Sequence, residues 1–128
     1  MDPNSHFQIC VKTHFSAAHH LRGYPGACEK PHGHNWTVGV HVRCNKLTDL
    51  GITVDFYDIQ TALEETLKDL NHNDLNTLSP FQDQNPSSEN IARHLYRELR
   101  PMLQTPGLRL SKVSVSETPN FTVEYWEE

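Results

Sequence analysis

The chain has 128 residues with 11 basic and 16 acidic side chains, and its formal net charge at pH 7 is −5. A negative balance argues against nonspecific nucleic-acid binding, which needs a basic face. The sequence contains no apolar run near the roughly 20 residues of a membrane span, and its N-terminus lacks the basic and apolar regions of a signal peptide. With 36% apolar and 21% charged residues, it predicts one globular domain over residues 1–128.

The first two predicted elements are strands of an antiparallel hairpin. Apolar and polar residues alternate over 6–15 and again over 35–42, which is the period of a strand with one buried face. Between them, residues 16–34 contain several glycines and prolines and predict a long connection. Connections of that length in small domains are often functional.

Two helices and a second strand pair follow. One helix is predicted to begin near Asp55 and the other after Pro86, with Ser87 or Ser88 as its N-cap. The polar segment between them predicts irregular structure, and residues 112–118 and 121–126 predict the last two strands. The order β-β-α-α-β-β indicates an α+β fold with both helices on one face of the sheet. Four strands cannot close a barrel within one chain, so the open edges predict self-assembly.

Cysteine usage bears on the cellular location. Cys10, Cys28 and Cys44 are odd in number and lack the spacing of a disulfide framework, which favours a reducing, cytoplasmic setting with free thiols. Cys10 and Cys44 lie in strand-like runs, and we expect both to be small buried residues.

The histidines suggest a metal site. His32 and His34 lie two residues apart at the start of a strand and therefore share a face, the one that also carries Trp36. His19 can lie opposite this pair if the first strand stays extended. Three imidazoles with an open fourth position are typical of a catalytic zinc. The alternative is a chance pattern in a histidine-rich chain, and His20 is a weaker ligand candidate because it points to the other face.

Two further residues have alternative interpretations. Cys28 can be a fourth ligand that closes a structural zinc site, or a free thiol that a nearby cation activates as base or nucleophile. Glu117 shares strand parity with Val113 and Val115, so its carboxylate is predicted to face inward. It can accept from adjacent N–H donors of a ligand such as an aminopyrimidinone, form a salt bridge with an arginine, or lie at a strand end where it simply reaches water.

Six stretches carry a resemblance that covers essentially the whole chain: FSAAHHL (15–21), CEKPHGHNW (28–36), GITVDFYDI (51–59), LNHNDLN (70–76), NPSSENIA (85–92) and SETPNFTVEY (116–125). In their order and spacing they resemble the family of 6-pyruvoyltetrahydropterin synthase and 6-carboxytetrahydropterin synthase, the QueD-like enzymes. Three residues separate Cys28 from the HGH motif, which resembles the carboxy-forming branch; the pyruvoyl-forming branch typically has a longer gap.

The resemblance implies a tunnelling fold (T-fold), in which chains assemble into a trimeric barrel and two barrels stack as a homohexamer with active sites at subunit interfaces. It implies zinc on His19, His32 and His34, Cys28 and His72 as catalytic residues, and Glu117 as the pterin anchor. The implied substrate is 7,8-dihydroneopterin triphosphate. The implied product is 6-carboxytetrahydropterin, formed with loss of triphosphate and acetaldehyde, for queuosine or other deazapurine synthesis.

Two other activities remain open at this point: 6-pyruvoyltetrahydropterin formation, and pterin and zinc binding with reduced or lost catalysis. The second arises because the family's aspartate before the catalytic histidine is Asn71 here. An amide cannot stabilise a cationic imidazole as a carboxylate does. Asp69 and Asp74 are alternative acids near His72.

Overall fold

The structure, a computed structural model, describes residues 4–128. In this range it has five strands, β1 (Phe7–His19), β2 (His32–Cys44), β3 (Asn73–Asp74), β4 (Arg109–Thr118) and β5 (Phe121–Tyr125). Its two α-helices are α1 (Phe56–Leu67) and α2 (Ser88–Leu103), and single 3₁₀ turns lie at Ala27–Glu29, Leu75–Thr77 and Ser79–Phe81. None of the helices in the described range is long and apolar enough to cross a membrane.

The strands form one sheet in the order β3-β1-β2-β4-β5. All pairs are antiparallel except the two-residue pairing of β3 with β1, which is parallel. The predicted α+β fold is therefore confirmed. The short β3 was not predicted, because two residues in a polar segment give no periodic signal.

One face of the sheet packs against the helices and forms the core. Trp36, Val38, Val40 and Val42 are fully buried on β2, as their alternation predicts, and Ile59 and Leu63 of α1 cover this face. The opposite face is polar. Cys44 is buried as expected, but the expectation for Cys10 was wrong: it is exposed, because it occupies an even-numbered, outward position of β1.

The hairpin is longer than the sequence predicted, and this matters for the site. Pairing runs from Phe7↔Cys44 to His19↔His32, so the predicted connection of residues 16–34 shrinks to 20–31. Ala17 and Ala18 pair with His34 and Gly33, and the ladder continues through them. As a result, His19 faces His32 directly across the two strands.

The N-terminal caps of the two helices fix the backbone near the site. Helix α1 begins next to Asp55, as predicted, and the Asp55 side chain caps it by accepting from the Tyr57 N–H at 2.9 Å. Ser87, and not Ser88, caps α2 by accepting from the Asn90 N–H at 3.2 Å. The start of α2 therefore fixes the neighbouring carbonyl of Pro86, which reaches the histidines.

Candidate metal centre and adjoining cavity

Three imidazoles meet where the β1–β2 hairpin ends. The ring centroids of His19 and His32 are 4.5 Å apart, those of His32 and His34 are 4.8 Å apart, and those of His19 and His34 are 5.4 Å apart. Odd positions of β1 and even positions of β2 share the inward face, which is why strand parity alone brings the rings together. His20 points away from this group, and its amide N–H donates to Asn76 Oδ1.

Glu117, near the end of β4, completes a histidine–glutamate cluster with His19, His32 and His34. Its Oε1 lies 2.6 Å from His34 Nε2, 3.3 Å from His19 Nε2 and 3.6 Å from His32 Nε2. One ligand atom from each of the four residues falls within 4.8 Å of the others. The inward carboxylate was predicted, but the arginine salt bridge was wrong, since the partners of Glu117 are imidazoles.

Backbone carbonyls fix the tautomers of two rings. His19 Nδ1 donates to the carbonyl oxygen of Pro86 at 2.6 Å, and His32 Nδ1 donates to that of Lys30 at 2.7 Å. A carbonyl can only accept, so each Nδ1 carries the proton and each Nε2 of a neutral ring turns a lone pair toward the cluster. Metal-binding histidines commonly have this outer contact.

The inward lone pairs of the cluster make it a group that could hold a cation. Neutral His19 presents an Nε2 acceptor to the Glu117 carboxylate, which is also an acceptor, and burial lowers the pKa of His19, which disfavours the doubly protonated ring. His34 Nε2 is buried and has no hydrogen-bond partner within residues 4–128, because its short contact with Glu117 lacks hydrogen-bond geometry. Three imidazole nitrogens and a carboxylate oxygen are a donor set that fits Zn²⁺.

Cys28 lies outside this cluster, on the 3₁₀ turn Ala27–Glu29. Its thiol is free and half-buried, and its carbonyl accepts from the Leu21 N–H at 2.7 Å. The fourth group beside the three histidines is Glu117 and not Cys28. This geometry does not favour the interpretation of Cys28 as a closing zinc ligand.

His72 and His34 both line a cavity of about 530 Å³. The φ of His72, 61°, is in the left-handed region, which is uncommon for residues other than glycine. Its N–H donates to the Ser16 carbonyl at 2.6 Å, while the Ser16 N–H donates to Asn71 Oδ1 at 2.9 Å. These two hydrogen bonds, which we call the Ser16 clamp, hold the Asn71–His72 turn against β1.

The role of Asn71 is therefore visible in its contacts. Its side chain bonds to the backbone of β1, a contact that an aspartate oxygen could also make. Asp74 lines the same cavity as His72, but its carboxylate accepts from the Asn76 N–H at 3.1 Å. Sequence patterns gave no signal for Ser16, Lys30 or Pro86, because these residues act through backbone atoms.

The fold agrees with comparisons to known proteins. The model of the family described as 6-pyruvoyl tetrahydropterin synthase matches residues 8–128. The chain belongs to the 6-pyruvoyl tetrahydropterin synthase family. Within this family, a relative from Archaeoglobus fulgidus is 35% identical over 109 residues, which cover 85% of this chain and 86% of that protein. It is provisionally named a 6-carboxy-5,6,7,8-tetrahydropterin synthase.

Two more members of the family show similarity over most of their length. The 6-carboxy-5,6,7,8-tetrahydropterin synthase of Bacillus subtilis is 30% identical over 120 residues, covering 88% of this chain and 80% of its own. The solved structure of the Caenorhabditis elegans 6-pyruvoyl tetrahydropterin synthase superposes with a TM-score of 0.83 over 100% of both chains, at 23% identity. That structural likeness supports the fold.

Proposed function

We propose that this chain is a zinc-dependent 6-carboxy-5,6,7,8-tetrahydropterin synthase that acts on 7,8-dihydroneopterin triphosphate. The products are 6-carboxytetrahydropterin, triphosphate and acetaldehyde, and the reaction would serve queuosine or related deazapurine synthesis. The observation that carries this proposal is the histidine–glutamate cluster, in which His19 and His32 turn Nε2 lone pairs inward. The names of the A. fulgidus and B. subtilis relatives support the carboxy-forming activity.

In this proposal His19, His32 and His34 hold the zinc. When bound, zinc would supply Lewis-acid polarisation of the substrate's side-chain oxygens. Glu117 is not a zinc ligand in this proposal; it shares the face of the cluster, and its carboxylate offers two acceptor oxygens to adjacent N–H groups of the pterin ring. An acceptor pair of this kind selects a ring edge that carries two donors.

Proton transfer is assigned to Cys28 and His72. Cys28 is the base that removes a proton from the substrate side chain, and His72, beside His34 in the cavity, exchanges protons with its oxygens. The two residues lie on separate loops. We therefore include in the proposal that neighbouring subunits complete each site, within a hexamer built as a dimer of trimers. A cytoplasmic location remains a prediction from the cysteine pattern.

The spacing of Cys28 and the HGH motif favours the carboxy-forming over the pyruvoyl-forming activity. The two differ in product, since only the first releases acetaldehyde. The direct test is to incubate zinc-loaded protein with 7,8-dihydroneopterin triphosphate and identify the products by mass spectrometry. We expect 6-carboxytetrahydropterin and acetaldehyde.

A matched pair of variants completes this test. His32→Ala should abolish turnover and lower bound zinc, whereas His14→Ala, an exposed histidine on the same hairpin, should change neither. 6-Pyruvoyltetrahydropterin without acetaldehyde would establish the other branch. Pterin binding without any conversion would show a homologue that has lost catalysis.

A further inference from the structure

Two arginines face each other at the end of the sheet remote from the histidines. Arg43 of β2 pairs with Arg109 of β4 in the antiparallel register. The histidine end of β2 begins at His32, about 36 Å away at 3.3 Å per strand residue. The arginine pair therefore belongs to a different region of the chain from the histidine–glutamate cluster.

Like charges directly opposite on neighbouring strands are destabilising unless something neutralises them. Within residues 4–128, no carboxylate forms an ion pair with either arginine. Both side chains are exposed and, with His6, line a cavity of about 470 Å³. No described residue lining this cavity is Asp or Glu, although the whole chain has a net charge of −5.

Other side chains at this cavity add uncharged donors. Asn45, Gln104 and Thr105 line it and offer two amide NH₂ groups and one hydroxyl. Their side chains have no hydrogen-bond partner in the described part of the chain. We call this cavity, lined by His6, Arg43, Asn45, Gln104, Thr105 and Arg109, the arginine pocket.

We propose that the arginine pocket binds a polyphosphate anion. A guanidinium presents two parallel N–H groups that match the oxygens of one phosphate, so two guanidinium groups on adjacent strands suit two phosphates of one chain. The amide and hydroxyl donors can satisfy the remaining oxygens. Two fixed positive charges and no acidic ligand make the pocket unsuitable for a metal cation.

The test is calorimetric titration of the protein with inorganic triphosphate at low ionic strength. We expect Arg43→Gln and Arg109→Gln each to weaken binding about tenfold or more, since each removes charge-assisted hydrogen bonds. Arg109→Lys should weaken it less than Arg109→Gln, because the charge remains but the fork is lost. Lys68→Gln, at the end of α1, makes the same charge change far from the pocket and should leave binding unchanged.

A second measurement locates the ligand directly. Triphosphate should shift the Nε–Hε resonances of Arg43 and Arg109 in ¹H–¹⁵N spectra, assigned from their absence in Arg43→Gln and Arg109→Gln. The proposal would be overturned if the wild type did not bind triphosphate. It would also be overturned if both glutamine variants bound triphosphate as tightly as the wild type, which includes the case of binding at the proposed catalytic site alone. Because no substrate turnover is measured, this result is independent of the proposed enzyme activity.

A parallel titration with ATP distinguishes a free polyphosphate from a nucleoside triphosphate as the ligand. Equal affinity for ATP and inorganic triphosphate means that the phosphate chain alone is recognised, as in a free polyphosphate. Tighter binding of ATP, again weakened by Arg43→Gln, means that a nucleoside triphosphate occupies the pocket. Both results support the polyphosphate site.

Discussion

In two imidazoles of the histidine–glutamate cluster, the two ring nitrogens face different environments. In His19 and His32 one nitrogen donates to a fixed backbone carbonyl, and the other turns its lone pair toward Glu117. The carbonyls of Pro86 and Lys30 thus set the tautomer before any ion arrives. This preorganisation would lower the cost of orienting the rings around the proposed metal ion.

The assignment of Cys28 leads to a prediction at the residue scale. Cys28→Ala should retain zinc but lower turnover by about 10²–10⁴, the usual contribution of a general acid or base. Zinc content by metal analysis and product formation by mass spectrometry check this. Cys10→Ala, an exposed cysteine on the other face of the sheet, is the control and should keep both properties. Loss of zinc together with unfolding would instead mean that Cys28 is a structural ligand.

The Ser16 clamp leads to a second prediction. Asn71→Ala removes the acceptor of the half-buried Ser16 N–H and should lower the free energy of unfolding by about 1 kcal/mol. Asn71→Asp supplies a carboxylate oxygen at the same place and should keep this stability. Urea unfolding measures the difference.

Turnover of the same variants tests whether the clamp positions His72. Asn71→Ala should lower kcat because the left-handed turn at His72 is released, and Asn71→Asp should retain or raise it. Equal stability and kcat in the alanine variant and the wild type would contradict a positioning role for Asn71.

At the scale of elements, α2 has two separate functions. Its capped N-terminus follows the Pro86 carbonyl that holds His19, and its body packs on the sheet through Ile91, Leu95 and Leu99. His94 lies on the same helix, with its ring 5.6 Å from that of Phe81. Burial lowers the pKa of His94, which the nearby Glu98 opposes to a smaller extent.

The lowered pKa of His94 predicts a pH dependence of stability. Below about pH 6.5 His94 is protonated in the unfolded chain, whereas in the folded chain its lowered pKa keeps it neutral. The free energy of unfolding therefore falls as the pH falls from about 6.5 toward the folded pKa. His94→Gln should therefore lose less stability than the wild type between about pH 7.5 and pH 5.5. Urea unfolding at both pH values measures this. His14→Gln, an exposed position, should behave as the wild type; an equal loss in His94→Gln would contradict the prediction.

At the scale of the whole molecule, the sheet has open edges. β3 pairs with only Ala17 and Ala18 of β1, and β5 is the last strand on the other side. Long unpaired edges of this kind pair readily with another chain. The proposed hexamer should therefore appear in light scattering at six times the 14.7 kDa mass of one chain. A monomer at working concentrations would contradict it.

Subunit completion of the site is tested by combining two inactive variants. Differently tagged Cys28→Ala and His72→Ala chains, expressed together and purified through both tags, should recover activity if each site takes the two residues from different chains. Random mixing restores about a quarter of the sites. No recovery would mean that both residues act from one chain, and each variant alone provides the baseline.

Much of the fold follows from local pattern. Alternation located the hairpin and the last two strands, and apolar stripes located both helices to within a few residues. Strand parity alone also placed His32, His34 and Glu117 on the inward face. The errors were local as well: Cys10 lies at an outward parity position, and two alanines extend β1 beyond the predicted boundary.

The sequence by itself therefore determined which residue types share a face, because side-chain direction in a strand depends only on position along it. Only the tertiary structure decided that Glu117 meets His19, 98 residues earlier in the chain, and that the Pro86 carbonyl, the Ser16 clamp and the Arg43–Arg109 pair exist. These contacts depend on inter-strand register and on where α2 begins. The register and the start of α2 are set by the packing of the whole core, and the local periodicity of the sequence does not predict them.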